Sequence, residues 1–120
     1  MIKIQNSKQY NLEERTLKFS QQVIGFINKL PKTYANIEII KQLIRSAGSV
    51  GANYIEANES LSKKDFVMRI KICRKEAKES RYWLMLIDVN KKDMHDEKEY
   101  LIKESTEMMK IFGSILEKCK

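Results

Sequence analysis

The sequence predicts an all-α fold, an antiparallel up-down-up-down four-helix bundle. Apolar side chains recur every three or four positions along four separate segments, which is the spacing of one face of an α-helix. One proline and four glycines in 120 residues leave few places where a helix would break. The segments between the four stretches are short, and short connections favour antiparallel neighbours. We expect residues 1–10 to form a flexible N-terminal arm and residues 11–120 to form the bundle.

Helix 1 is predicted to begin after Asn11, because Asn11 followed by Glu14 has the pattern of a capping box. The positions expected to face the core are Leu12, Thr16, Phe19, Val23, Phe26 and Leu30. Pro31 disfavours the helical conformation of the residue before it, so the helix should end near Leu30.

Helix 2 is predicted to begin after the capping residue Thr33 and to run to about Asn58. The positions expected to face the core are Ile37, Ile40, Ile44, Ala47, Gly51 and Tyr54. Residues 46–52 form a block of small side chains that includes two glycines, each costing about 1 kcal/mol relative to alanine inside a helix. The interpretation we favour is close packing against another helix, with a kink as the alternative.

Helix 3 is predicted from Lys63 to about Val89, with Ser62 and Asp65 as its capping residues. Its expected core positions are Phe66, Ile70, Cys73, Ala77, Ser80, Leu84 and Ile87. Helix 4 is predicted to begin after Asp96, three residues before Glu99, and to run to about Lys118. Its expected core positions are Leu101, Ser105, Met108, Phe112, Ile115 and Cys119.

Three of the helices carry more apolar residues than a single core-facing row requires. The additional residues are Leu17, Ile24 and Ile27 on helix 1, Ile72, Trp83, Met85 and Leu86 on helix 3, and Met109, Ile111 and Leu116 on helix 4. A small monomeric bundle needs about three apolar positions in seven. The excess indicates self-association.

Several classes of protein are excluded by the sequence pattern. No apolar run approaches the roughly 20 residues that span a bilayer, so no membrane partner is expected. The first residues lack the apolar core of a signal peptide, and we predict a cytoplasmic protein. Cys73 and Cys119 lie at apolar helical positions, and we interpret them as core residues in a reducing compartment rather than as a disulfide or redox pair.

The sequence offers no credible catalytic, metal or cofactor site. His95 is the only histidine and lies in a polar loop, so neither zinc-type spacing nor a Glu-x-x-His pair is present. The run Gly48-Ser49-Val50-Gly51 lacks both the spacing and the lysine of a phosphate-binding P-loop. We therefore expect a protein that is not an enzyme.

Basic residues are better organised than acidic ones. The formal net charge is +7, which favours an anionic partner. Five cations on helix 3 follow three- and four-residue steps and form one stripe: Lys71, Arg74, Lys75, Lys78 and Arg81. Such a stripe can follow a phosphate backbone, although it can also be an ordinary solvated helix face. Tyr82 and Trp83 beside it could stack on bases, but we favour a place for them in the core.

A second polar cluster is predicted around the end of helix 2. Asn53 and Glu56 lie just beyond the block of small residues, and Arg15 and Arg45 are candidates to pair with a partly buried Glu56. We interpret these four residues as a structural polar network, with a ligand-binding role as the alternative.

Several segments together resemble one protein family. They are LEERT at 12–16 with Phe19, LP at 30–31, QLIRS at 42–46, SVGANYIEA at 49–57, SKKDF at 62–66 and ESRYWL at 79–84. In this order they are similar to the four-helix bundle proteins encoded in intervening sequences of bacterial 23S rRNA genes.

The resemblance implies a four-helix bundle that assembles into a homopentamer and has no established enzymatic activity. A related group is the accessory variability determinant of diversity-generating retroelements. It resembles the same bundle, and the resemblance implies a basic pentamer that engages nucleic acid and a reverse transcriptase. Our leading hypothesis is therefore a non-enzymatic homo-oligomer that binds nucleic acid, RNA in particular. The alternatives are a protein-interaction scaffold, and an enzyme with a site at Asn53, Tyr54 and Glu56.

Overall fold

The computed structural model describes residues 11–120, which form four α-helices. They are α1 (Leu12–Ile27), α2 (Tyr34–Asn58), α3 (Lys63–Leu86) and α4 (Lys92–Lys118). No strand occurs within this range, and the predicted all-α class is confirmed. The arm predicted for residues 1–10 lies outside the described residues.

Three of the four helices begin at the predicted capping residues. The Asn11 side chain accepts a hydrogen bond from the backbone N–H of Glu14 at 3.2 Å. The Thr33 and Ser62 hydroxyls each accept the equivalent bond three residues on, both at 3.1 Å. Each such cap stabilises a helix by about 1 kcal/mol, so local sequence determines these starts.

The predicted start of α4 is wrong. The helix begins at Lys92, five residues before the expected start, and its N-cap Lys91 makes no side-chain capping bond. The earlier start places Met94 in the core, where it is 5% exposed. Burying a methionine side chain is worth about 1.5–3 kcal/mol, which exceeds the roughly 1 kcal/mol of an Asp96 cap.

The ends predicted for helices 1 and 3 were both three residues too late. After α1, the N–H groups of Lys29 and Leu30 bond three residues back, in tighter turns than those of an α-helix. After α3, Ile87 is extended, with ψ at 142°. The apolar spacing misled the prediction because Leu30 and Val89 remain buried after the helices have ended.

Hydrogen bonds between the helices show that sequential neighbours are antiparallel. Ser20 donates to the carbonyl oxygen of Ala47 at 3.0 Å, and Asn58 donates to the Glu13 carboxylate at 3.0 Å. Residues early in α1 therefore meet residues late in α2. The same inverse order links α2 to α3 through Asn53–Arg69 and Asn36–Asp88, α3 to α4 through Arg81–Thr106 and Ile87–Lys98, and α4 to α1 through Arg15–Glu104 and Lys29–Glu97.

The core contains the predicted rows of α1, α3 and α4 but not that of α2. Phe19, Ile70 and Phe112 are fully buried, as expected. On α2, however, Ile37 and Ile44 are 38% and 43% exposed. Of the predicted row, Ala47 is buried, and Ile40 and Tyr54 pack against the core. The side chains that α2 buries are Asn36, Ile39, Leu43, Ser46, Ala47, Val50 and Ala57. Compared with the prediction, α2 is thus rotated about its own axis by about one residue, because its small residues face the neighbouring helices.

The close packing predicted for the small-residue block is confirmed at Gly51. A Cβ at this position would lie 3.0 Å from the Thr16 hydroxyl oxygen and 3.3 Å from the Thr16 Cβ. Thr16 is buried and its hydroxyl donates to the Leu12 carbonyl at 2.7 Å, so it has little freedom to move away. Gly48, by contrast, is exposed and has no such atom within 4 Å.

Candidate nucleic-acid interface

The acidic residues in the middle of α3 are turned toward α2 and paired there. Glu76 and Glu79 both form ion pairs with Arg45, Glu76 at 3.4 Å from the Arg45 Nη1. The Glu76 side chain is only 10% exposed. As a result, the carboxylates that could neutralise the cations of α3 are held on the side of the helix that faces α2.

The five predicted cations of α3 lie away from that side. Four are exposed, while Arg81 is partly buried. Within residues 11–120, none of Lys71, Arg74, Lys75, Lys78 and Arg81 has a carboxylate oxygen within 4.0 Å of its charged nitrogens. Their charge is therefore available to a partner.

The structure divides these cations into two groups. Lys71, Lys75 and Lys78 are one helical turn apart on the side of α3 opposite its core positions, and we call them the lysine row. The two arginines lean toward α4. Arg81 Nε donates to the Thr106 hydroxyl at 2.9 Å, and Arg74 Nε lies 3.8 Å from the position of a Cβ on Gly113.

The two aromatic residues next to the lysine row have different environments. Trp83 is partly buried and packs against the core, as we had favoured. Tyr82 is instead 56% exposed, so the core placement predicted for it is wrong. Their rings meet edge to face, with centroids 5.0 Å apart and planes at 74°.

The four residues of the predicted polar network are not brought together. Arg15 pairs with Glu104 through two bonds of 2.7 and 2.9 Å, and this hydrogen bonding raises the pKa of the guanidinium. Asn53 accepts from Arg69 at 2.8 Å. Glu56 is exposed, and the predicted pairing of Glu56 with Arg15 or Arg45 is wrong. Glu104 and Glu76 are the partners because their side chains face the helices that carry the two arginines, whereas the Glu56 side chain is exposed to solvent.

One structural polar residue was missed by sequence reasoning. Asn36 is fully buried at the start of α2, where its amide nitrogen donates to the carbonyls of Pro31 and Asp88, both at 3.0 Å. Its amide oxygen accepts from the backbone N–H of Asp88 at 3.2 Å. Asn36 thus joins the loop after α1 to the loop after α3. The sequence contains no signal for this, because an asparagine in the first turn of a helix is usually exposed and has no unique interpretation.

The thiols and carboxylates do not assemble into a reactive site. Within residues 11–120, no three His, Cys, Asp or Glu side chains are placed to hold a metal ion. Burial raises the pKa of the Cys73 thiol to about 12, which suppresses the nucleophilic thiolate at neutral pH. Burial also raises the pKa of Tyr54.

Part of the predicted apolar excess is exposed between α1 and α2. Leu17 and Ile24 are one turn before and after Ser20, which contacts α2. On α2, Ile44 and Ile55 are one turn from Ala47 and Gly51, which face α1. We call Leu17, Ile24, Ile37, Ile44 and Ile55 the α1–α2 outer face. Ile27 is buried, and Met109, Ile111 and Leu116 pack against the core.

Comparison with known proteins gives a consistent result. The model of the family described as 23S rRNA-intervening sequence protein matches residues 8–114. A crystal structure of a protein of unknown function from the S23 ribosomal protein family, from Bacteroides thetaiotaomicron, matches with a TM-score of 0.75. The two chains are 30% identical over 87% of this chain and 96% of the other. No curated protein matches the sequence. No helix in residues 11–120 has an apolar stretch long enough to cross a bilayer.

Proposed function

The chain belongs to the 23S rRNA-intervening sequence protein family, and we propose that it is a non-enzymatic, cytoplasmic bundle that assembles with copies of itself and binds nucleic acid, RNA in particular. The binding surface is the outer side of α3. The observation that carries this proposal is the separation of charge on one helix. The carboxylates of Glu76 and Glu79 are paired with Arg45, while the nearby cations have no carboxylate partner within residues 11–120.

The lysine row has the chemistry of a phosphate-binding surface. Lys71, Lys75 and Lys78 place three exposed ammonium groups along one side of a helix, about 4.5–6 Å apart along its axis. Like charges at this spacing repel one another by a few tenths of a kcal/mol per pair. A bound phosphate backbone relieves that repulsion and releases counterions, so affinity falls as salt concentration rises.

Charge reversal of the lysine row tests the proposal. The variant Lys71→Glu, Lys75→Glu, Lys78→Glu should bind RNA at least about 100-fold more weakly at low salt, because three phosphate contacts become repulsions. The slope of log affinity against log salt should flatten by about 2 units for single-stranded RNA. Fluorescence anisotropy with a labelled RNA at two salt concentrations measures both quantities.

A matched variant separates the position of the charges from their number. Lys18→Glu, Lys41→Glu, Lys118→Glu makes the same three changes on exposed positions of α1, α2 and α4. Both triple variants lower the formal net charge equally, so they share any loss of long-range attraction. We expect the control to bind at least tenfold more tightly than the lysine-row variant. Equal affinities of the two variants would remove the outer side of α3 from the proposal.

The proposed self-association uses the α1–α2 outer face. The side chains of this face are aliphatic and about half exposed, whereas many of the other exposed residues of this basic protein are charged. Two copies can meet there with less charge repulsion than at α3. Gly48 supports the same contact, because its exposed position in mid-helix has a cost that no contact within the described chain explains. The resemblance noted from the sequence favours five copies.

A charged substitution on this face should dissociate the assembly. We expect native mass spectrometry of the wild type to give five times the 14.2 kDa of one chain. Ile44→Glu should give a folded monomer, because a carboxylate cannot be desolvated in an apolar contact without a large cost. Leu61→Glu, at an exposed leucine in the loop between α2 and α3, should leave the mass unchanged. A monomeric wild type would contradict this part of the proposal.

The second candidate function is a protein-interaction scaffold without nucleic-acid binding. The exposed aliphatic α1–α2 outer face favours it, because apolar patches of this kind mark protein contacts. A reverse transcriptase is one partner of this type, by analogy with the related group. The scaffold predicts that purified protein retains no RNA at low salt and that neither lysine variant changes partner binding.

A further inference from the structure

Tyr82 continues the lysine row in line with its cations. The steps from Lys71 to Lys75, Lys78 and Tyr82 are four, three and four residues, so all four side chains lie on one side of α3. Tyr82 is 56% exposed, whereas an aromatic ring of this size is generally covered when the fold uses it for packing. The exposed ring therefore lies one turn, about 6 Å, beyond the last ammonium group of the row.

The ring of Tyr82 contacts one other aromatic ring. Trp83 packs against the core and contacts Tyr82 edge to face at 5.0 Å. Met85 and Leu86, the next exposed residues of the helix, are also apolar and about half exposed. The surface thus changes along α3 from ammonium groups to an apolar area built around an aromatic ring.

We infer that Tyr82 is a stacking platform for an unpaired base, so that the outer side of α3 takes single-stranded nucleic acid in preference to a duplex. This inference rests on the proposed function and names its ligand class. Phosphates of the strand would contact the lysine row, while a base lies against the ring one turn further on. A duplex offers its phosphates but not its base faces, which are already stacked. Stacking on an aromatic ring tolerates any base, so no sequence preference is expected.

A subunit contact at Tyr82 is disfavoured by the charges around it. Lys75, Lys78 and Arg81 lie within about two turns of Tyr82 and lack carboxylate partners in the described residues. A second copy of the same basic chain would have to bring its own charge against these cations. A polyanion carrying exposed aromatic bases matches both the charge and the apolar area.

The experiment compares two single strands of equal length, one an RNA of adenosine and uridine and the other abasic. Both strands offer the same phosphates, but only the first offers bases. Tyr82→Ala should weaken binding of the RNA at least fivefold, as expected for the loss of one stacked base, and leave binding of the abasic strand unchanged. Tyr82→Phe should bind both strands as the wild type does, since it keeps the ring.

Two controls accompany these variants. Met68→Ala removes another exposed apolar side chain from the far end of α3 and should change neither affinity. Trp83 is the only tryptophan, and its emission should be quenched by the RNA and not by the abasic strand, because a stacked base would lie next to its neighbour Tyr82.

Four results would overturn the inference. They are unchanged RNA affinity of Tyr82→Ala, an equal loss on both strands, equal binding of RNA duplex and single strand by the wild type, and a changed oligomeric mass of Tyr82→Ala, which would assign the ring to a subunit contact. If the lysine-row variant loses RNA while Tyr82→Ala does not, only this inference fails. If the lysine-row variant also binds RNA like its control, the proposed function fails as well.

Discussion

The polar groups on the two sides of α3 have different environments. On the side that faces α2, Glu76 and Glu79 pair with Arg45, and the Ser80 hydroxyl bonds to that of Ser46 at 2.9 Å. On the outer side, the lysine row has no carboxylate partner within the described residues. One helix thus has a side on which Glu76, Glu79 and Ser80 are paired within the fold, and a side on which three lysines have no carboxylate partner in residues 11–120.

This difference separates stability from binding. A polar group that is buried and paired is costly to remove, because its partner is left desolvated and unsatisfied. An exposed lysine without a partner contributes little to folding and can even oppose it through repulsion. Substitutions on the side facing α2 should therefore change stability, and substitutions on the outer side should change binding. Four experiments test this difference between the two sides.

The largest expected effect is on the reactivity of Cys73, which faces α2 and donates to the Val50 carbonyl at 3.5 Å. In a Cys119→Ser background, a thiol reagent at pH 8 should label Cys73 at least about 1000-fold more slowly in the folded chain than in denaturant. Adding Lys75→Cys to the outer side should introduce one fast-reacting thiol. Fast labelling of Cys73 itself would show that this side of α3 is open to solvent.

The same thiol gives a pH dependence. The pKa of Cys73 is about 12 in the folded chain, against an ordinary value of 9.0. Folding therefore favours the neutral thiol, whose contribution is complete below pH 9 and is lost as the pH rises toward 12. Unfolding followed between pH 9 and 12 should show this loss.

The next effect concerns Asn36, the buried residue that joins two loops. Asn36→Ala should lower the free energy of unfolding by about 2–4 kcal/mol, because it leaves backbone groups of Pro31 and Asp88 without partners. Asn90→Ala, at an exposed asparagine in the loop after α3, should have little effect. Urea unfolding measures both variants. The RNA affinity of the folded Asn36→Ala protein should equal that of the wild type. A loss of RNA affinity in this variant alone would contradict the separation of stability from binding.

The smallest effect compares Arg45 with Lys75 directly. Arg45→Ala should lower the free energy of unfolding by about 1 kcal/mol, because Glu76 loses its cationic partner. The effect is modest because Arg45 is itself half exposed. Lys75→Ala should stay within about 0.5 kcal/mol of the wild type, on the stabilising side. The denaturant midpoints of the two variants and of the wild type measure these changes in stability. Equal costs for the two variants would mean that the lysine supports the fold and that the contrast fails.

The helix starts show which boundaries the local sequence can predict. Asn11, Thr33 and Ser62 cap their helices as predicted, because a capping bond depends only on residues within one turn. The start of α4 was mispredicted because a distant effect, burial of Met94, outweighs the local signal at Asp96. Boundaries therefore follow sequence only where no tertiary contact of greater energy competes.

The core-facing side of α2 could not be predicted for a related reason. Its isoleucines offer two rival rows, one with Ile37 and Ile44 and one with Ile39 and Leu43. Periodicity assigns each row a direction but does not choose between them. The choice depends on contacts between residues far apart in the chain, such as those of the buried Asn36 with the loops after α1 and α3.

In the candidate site, too, some features follow from local sequence and others depend on the packing of the helices. The spacing of Lys71, Lys75 and Lys78 alone placed them on one side of a helix, since helical geometry is local. Other features depend on how the helices are packed and turned against one another. They are the lack of carboxylate partners for these lysines within residues 11–120, the exposure of Tyr82, and the pairing of Arg15 with Glu104 instead of Glu56.

The amino-acid sequence by itself determined that this protein is a four-helix bundle, the rows that α1, α3 and α4 bury, and a basic stripe on α3. Only the tertiary structure decided the rotation of α2, the partners of the arginines and the exposure of the aromatic ring beside the lysines. The two kinds of feature differ in the distance along the chain over which the responsible interactions act. Helical periodicity and capping act over about one turn, whereas burial and pairing depend on residues that only the packing of the helices brings together.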